Sequence, residues 1–487
     1  MNKKLLDAME HISDSYIADA ITPKKTVHYS WLGAVAAILV IALMGAVIFP
    51  GLGSAGDPSS TTAPILQVTT GSSTSAPTIR PTTRPTTRPA TKPTNKPTNK
   101  PTTSDTIYGV VAAPVYAVSA GAANIYTVAT KDALSNIANA VLSNTNSNNP
   151  VCSPLNIYMA LSMLAEISDG KTRQQIVNTL GHTDLTALRS FANRLWQDHY
   201  ADESYKTVLA NSLWLDDGIS YNQDTANMLA LYYFASVYRG DLSSSTMQQS
   251  YKSWLNKETG GLLEDEIERM KIDPHAIIFL ASTIYYEAGW SGEFSKTDNT
   301  QAFFHTPDQD VYMTFMNTTR TGSYYYHEGE NYRAARLFLK DGSSMWLILP
   351  EEGVDPLTVA NAYRNASEGP AVELHLSVPK FDITAKTDLK KALMELGMTE
   401  LFSNNADFSA ITSSPTAPLQ GAEHAARVAI DEEGVIGAAY TSIAPPGSAP
   451  PVTYPVVNLT FDRPFTFSVV SSEGLPLFTG IVNDPAA

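Results

Sequence analysis

Residues 149–181 read NPVCSPLNIYMALSMLAEISDGKTRQQIVNTLG. Apolar residues recur at helical spacing over 154–167 and again over 171–180, and 131–143 (KDALSNIANAVLS) carries the same period. Strand-like runs follow at 207–215, 277–286, 344–349, 372–378 and 456–469. Strands that do not alternate regularly with helices predict an α+β architecture rather than a doubly wound one. No low-complexity break interrupts residues 107–487, which therefore read as one domain.

The chain has 487 residues and a formal charge of −15, with a single Cys. One Cys excludes an intramolecular disulfide framework and a Cys-based zinc site. Net acidity argues against nucleic acid as a partner, since such a protein presents a basic face. The charge is uneven. Residues 1–104 hold ten Lys/Arg and five Asp/Glu, and the remainder carries −20.

The first hundred residues divide into three pieces. Residues 1–31 are polar and read as a cytoplasmic segment with a short amphipathic helix on Leu5, Leu6, Met9, Ile12, Tyr16 and Ile17. From Trp31 to Leu52 no charge occurs, and residues 32–52 are expected to be a transmembrane signal anchor, because about 20 apolar residues span a bilayer. Lys24 and Lys25 precede this run, so the positive-inside rule places everything after it outside the cell. Residues 53–106 are a linker. From Arg80 they repeat RPTT, RPTT, RPAT, KPTN, KPTN, KPTT. Proline at every fourth position removes donors and fixes φ, so the segment leans to polyproline II and acts as a spacer. Its six like charges could also touch an anionic cell wall.

Gly51, Gly53 and Gly56 match G-x-G-x-x-G, but they lie between an apolar run and a Pro/Thr linker, not between a strand and a helix. No G-x-S-x-G, H-E-x-x-H or P-loop pattern occurs, and the histidines show no ligand spacing. No enzyme, cofactor or metal is expected.

The quoted stretch resembles the early helices of serpins, and further matches follow in family order. They are Ala210–Trp214 (ANSLW), Trp254–Gly260 (WLNKETG), Gly289-Trp290, Pro350–Gly353 (PEEG), Val378–Phe381 (VPKF), Asp388–Lys390 with Leu396–Met398, Phe402–Phe408 (FSNNADF), His424–Gly434 and Phe461–Phe465 (FDRPF). The last signature departs from the family at Thr466, where an apolar residue is usual. The resemblance implies the serpin fold, with a large mixed sheet able to accept an extra strand. It also implies a suicide-substrate inhibitor: a protease cleaves an exposed loop, forms an acyl-enzyme, and is dragged along as the loop inserts.

The loop implied is 432–458. Its start, Glu432, Gly434, Val435, Gly437, Ala438 and Ala439, resembles the hinge of inhibitory members. Once inserted, a strand alternates faces, so Val435, Gly437, Ala439, Thr441, Ile443 and Pro445 share one face, small or apolar throughout. Ile436, where the family usually has Glu, and the large Tyr440 fall on the other. Counting forward by the family's usual interval puts the reactive bond at Ser448–Ala449, within a window of 447–453. Small residues there suit elastase-like or subtilisin-like serine proteases. No Arg or Lys lies within 434–462, which argues against trypsin-like targets.

By the same resemblance His424, Ser153, Asn156 and Ser282 form the shutter that governs sheet opening, and Trp290 stands at the breach where the loop first enters. The family usually has Asn at the position of Ser282. His424 is expected to be a core histidine satisfied by hydroxyl partners, and Cys152 a buried inert thiol. The expected protein is thus a monomeric bacterial inhibitor, held outside the cell membrane on a wall-length spacer. The rival expectation is a serpin fold with a passive loop, used as a surface interaction module.

Overall fold

The computed structural model describes residues 35–45, 107–115, 126–202, 206–259, 261, 267, 271–366, 369–414, 416–435 and 453–486, with 35–45 described as backbone. The first and third pieces of the N-terminal region, the hinge residues Gly437, Ala438 and Ala439, and the reactive bond Ser448–Ala449 lie outside these.

Strands β1 (Val35–Gly45), β2 (Val110–Ala112), β3 (Val151–Cys152), β4 (Ala201–Asp202), β5 (Lys206–Asp216), β6 (Ala235–Gly240) and β7 (Ala276–Gly289) precede β8 (Thr300–His305), β9 (Asp310–Gly322), β10 (Tyr326–Gly329), β11 (Tyr332–Phe338) and β12 (Ser344–Pro350). Then come β13 (Val372–Pro379), β14 (Phe381–Asp388), β15 (Thr416–Ile430), β16 (Gly434–Val435), β17 (Val456–Thr460), β18 (Phe465–Val470) and β19 (Pro476–Val482). Among the described residues they form three sheets. The nine-stranded sheet runs β14-β15-β1-β7-β5-β6-β2, with β16 on β7 and β4 on β5; the six-stranded sheet runs β10-β11-β12-β18-β19-β3; the four-stranded sheet runs β17-β13-β9-β8. The fold is mixed, with helices concentrated in the first half of the body, as the sequence pattern implied.

The helices are α1 (Val128–Ser143), α2 (Pro154–Ile167), α3 (Gly170–Thr179), α4 (Leu185–His199), α5 (Gln223–Tyr232), α6 (Ser245–Glu258) and the short α7 (Lys390–Glu395). Ser153 caps α2 by accepting from the Asn156 N–H, and Pro154 sits in its first turn, where the missing N–H costs nothing. All fourteen residues of α2 are buried. A helix buried on every side belongs inside a protein, and α2, apolar but for Asn156, Ser162 and Glu166, packs between β7 of the large sheet and β19 of the six-stranded one.

Two elements differ from the sequence pattern. The run 456–469 is two strands in two different sheets, because Asp462-Arg463-Pro464 breaks it. Where a membrane helix was expected over 32–52, Val35–Gly45 is a strand in the middle of the large sheet, antiparallel to β15 on one side and β7 on the other. It belongs to the same compact unit as the body. Among the described residues no helix is long and apolar enough to cross a membrane. The physical reason for the ambiguity is that a central strand buried on both faces and a membrane helix both read as an unbroken apolar run.

Candidate functional site: the sheet opening and its hinge

β15 and β7 flank β1, and the start of α2 is bonded to both; by the resemblance they are the walls of the slot that a loop would enter. On one side the Ser153 backbone N–H donates to His424 Nε2 of β15 at 3.0 Å. On the other, Asn156 Nδ2 donates to Ser282 Oγ of β7 at 2.8 Å. Ser282 Oγ in turn donates to Asn211 Oδ1 of β5 at 2.7 Å, and Asn211 Nδ2 reaches the Tyr233 carbonyl at 2.8 Å. Ser153, Asn156, Ser282 and His424 are wholly inaccessible and Asn211 nearly so. In such a setting every missing bond carries its full desolvation cost.

His424 Nε2 accepts a main-chain N–H, while the Ser153 hydroxyl donates to the Leu477 carbonyl at 2.6 Å. A capping serine has its N–H free of the helix ladder, and His424 uses that free donor. With Nε2 accepting, the ring is neutral with its proton on Nδ1. Ser282, standing where relatives have Asn, bridges two amides with one hydroxyl. Asn211 completes the chain. It lies in the quoted ANSLW segment, but nothing in that text says which of its polar residues faces α2.

The segment expected to be the hinge begins just after β15. Trp290, buried, donates from Nε1 to the Asp431 carbonyl at 2.9 Å, and its own N–H bonds the Glu433 carbonyl at 3.1 Å. Phe294 meets the Trp290 ring edge-on at 5.9 Å, and its N–H reaches the Glu432 carbonyl. Asp431 Oδ1 accepts from the N–H groups of Glu433 and Gly434 at 2.8 and 3.2 Å, closing a tight turn. Burial pushes the Asp431 carboxyl above its ordinary value. Burial also pushes Glu432 up, but hydrogen bonds from Lys380 and Asn299 more than offset it and leave that carboxyl below its ordinary value. Lys296 pairs with Glu433 at 2.9 Å. Asn299 and Lys296 lie outside the quoted segments, and Asp431 and Lys380 lie inside them with no role assigned; all four roles depend on contacts between distant segments.

After this clamp, β16 turns into the large sheet. Gly434 pairs with Gly289 and Val435 with Ala288. A Cβ on Gly289 would stand 3.3 Å from the Glu433 carbonyl, so glycine allows the hinge to come this close. Val435 is completely buried. The loop's other end returns in β17, parallel to β13 of the four-stranded sheet.

The remaining sequence features take plain structural places. Cys152 is buried, and burial pushes its thiol far above the ordinary value, away from reactivity. Thr466 is buried in β18, and its hydroxyl has no partner among the described residues. Among the described residues no cluster of His, Cys, Asp or Glu could hold a metal ion.

The family profile described as Serpin (serine protease inhibitor) matches residues 129–485. Neuroserpin of Mus musculus is 28% identical over 362 residues, covering 69% of this chain and 86% of neuroserpin. The solved structure of Arabidopsis AtSerpin1 in its native stressed conformation superimposes with a TM-score of 0.65 at 23% identity, covering 76% of this chain and all of that one. Human thyroxine-binding globulin in complex with thyroxine superimposes at 0.61 and 23% identity, over 74% of this chain and all of that one.

Proposed function

The chain belongs to the serpin family, whose members are for the most part protease inhibitors rather than enzymes, and from that premise we propose that it traps a serine protease by loop cleavage and insertion. One observation carries the reading: the hinge residues Gly434 and Val435 are already paired to the top of β7, pointed down the slot between β7 and β15. A protease serine attacks the Ser448 carbonyl, the Ser448–Ala449 bond breaks, Ala449 leaves as a free amine, and Ser448 stays esterified to the enzyme. The freed segment then extends β16 downward as a central strand. The small residues 447–449 favour elastase-like or subtilisin-like targets. The uncharged run 32–52 anchors the chain in the cell membrane, and residues 53–106 carry the inhibitory domain away from it.

Mixing the full chain in vesicles with an elastase and with a subtilisin tests the reading. The expected result is a band near the summed mass that survives denaturing SDS gels, with a released C-terminal peptide whose new N-terminus is Ala449. Clean cleavage with no stable band for any such protease would count against it.

A second reading, a non-inhibitory surface module, is favoured by a different observation: the slot is not vacant, since β1 lies in it.

A further inference from the structure

The strand β1 and the hinge strand β16 lie end to end against the same edge of β7. β16 covers Gly289 and Ala288, and β1 takes over at Tyr286 and continues to Ala276. Only Glu287 separates them. If the hinge register is carried on residue by residue, Gly437 falls opposite Tyr286, Thr441 opposite Ser282 and Pro445 opposite Ile278. Those β7 positions are taken by Val35, Leu39 and Leu43. On the other wall, Leu39 pairs with His424, so β1 crosses the sheet at the level where α2 clasps both walls. The reactive loop and β1 therefore cannot occupy the slot together.

The sequence of β1, VAAILVIALMG, has no charged or hydrogen-bonding side chain. Left in water it would expose its whole apolar surface. Two places can bury it: this slot, which pairs both edges of its backbone, and a bilayer, which Trp31–Leu52 is long enough to span as a helix. Some sixty residues separate Gly45 from Ile107, most of them the linker 53–106, ample to permit either.

We propose that Val35–Gly45 is an exchangeable occupant of the loop-insertion slot: it fills the slot when the chain is out of the membrane and vacates it on entering a bilayer, so that membrane insertion arms the inhibitor. The proposal rests on the anchor and insertion reading above. It reconciles an inhibitory hinge with a filled slot. A chain released from the membrane, or not yet inserted, is kept inactive by its own anchor.

The test places a cysteine pair at Ile41 and Leu280, which face each other across β1 and β7. Directly opposed residues of an antiparallel pair stand at disulfide distance and on the same side of the sheet. The full chain is oxidised in lipid-free buffer and in phosphatidylcholine–phosphatidylglycerol vesicles, and free thiols are counted after denaturation. The expected result is a 41–280 disulfide in buffer and roughly tenfold less of it in vesicles, with covalent protease complex forming only in vesicles. A second variant, Leu39→Asp with Val40→Asp, puts one carboxylate on each face of the strand, so one must be buried whichever way the pleat runs. It is expected to leave the slot in buffer and to form complex there. Absence of the disulfide in buffer, or equal yield in both media, overturns the proposal. Loss of the disulfide in vesicles with no complex in any condition supports the exchange and removes the inhibitory reading instead.

Discussion

If the chain traps proteases as proposed, Gly437→Glu is expected to turn it into a substrate: the protease cleaves the loop at an unchanged rate, and the SDS-stable complex disappears. Val435, two residues earlier, is completely buried beside Ala288. Faces alternate along a strand, so position 437 follows Val435 to the buried side once the loop inserts. An unpaired carboxylate there costs several kcal/mol. If about 4 kcal/mol of that falls on the insertion barrier, insertion slows about a thousandfold, and hydrolysis of the acyl-enzyme wins. Ile436→Glu is the control: its side chain falls on the other face, and complex yield is expected to stay near that of the parent. Unchanged yield with Gly437→Glu would remove loop insertion as the mechanism.

Ser282→Ala is expected to destabilise the body by about 2–6 kcal/mol, since it orphans two buried groups, Asn156 Nδ2 and Asn211 Oδ1, at about 1–3 kcal/mol each. It also unclasps one wall of the slot, because Asn156 is the tie from α2 to β7 while Ser153 remains bonded to β15. A thermal midpoint lowered by several degrees checks the first effect. A cycle with Asn211→Ala checks the second: the double variant should cost at least about 1 kcal/mol less than the two singles added, since they break one shared network. Additive losses would mean that Ser282 merely fills space.

Much of this site was legible in the sequence because its residues lie in contiguous segments with family spacing. His424, Ser153, Asn156, Ser282 and Trp290 were all located that way. Their partners were not. Whether His424 meets a hydroxyl or a main-chain N–H depends on how Ser153 caps α2, and Asn211 reaches Ser282 only because β5 and β7 pair in one particular register. The helix α2 was clear because its apolar run is long and bounded by Ser153-Pro154. The strand β1 was not, for a different reason. Its pattern states that the segment must be buried, and says nothing about where. A run from Trp31 to Leu52 fits a bilayer, and eleven of its residues fit a slot.

The central claim is that the cleaved loop becomes a strand between β7 and β15. Its most direct measurement is the thermal midpoint of the vesicle-bound full chain, followed by intrinsic tryptophan fluorescence before and after cleavage at the reactive loop. Insertion adds a paired central strand, and the midpoint should rise on the order of 10 °C or more. A midpoint unmoved by cleavage, with the loop shown to be cut, would contradict it.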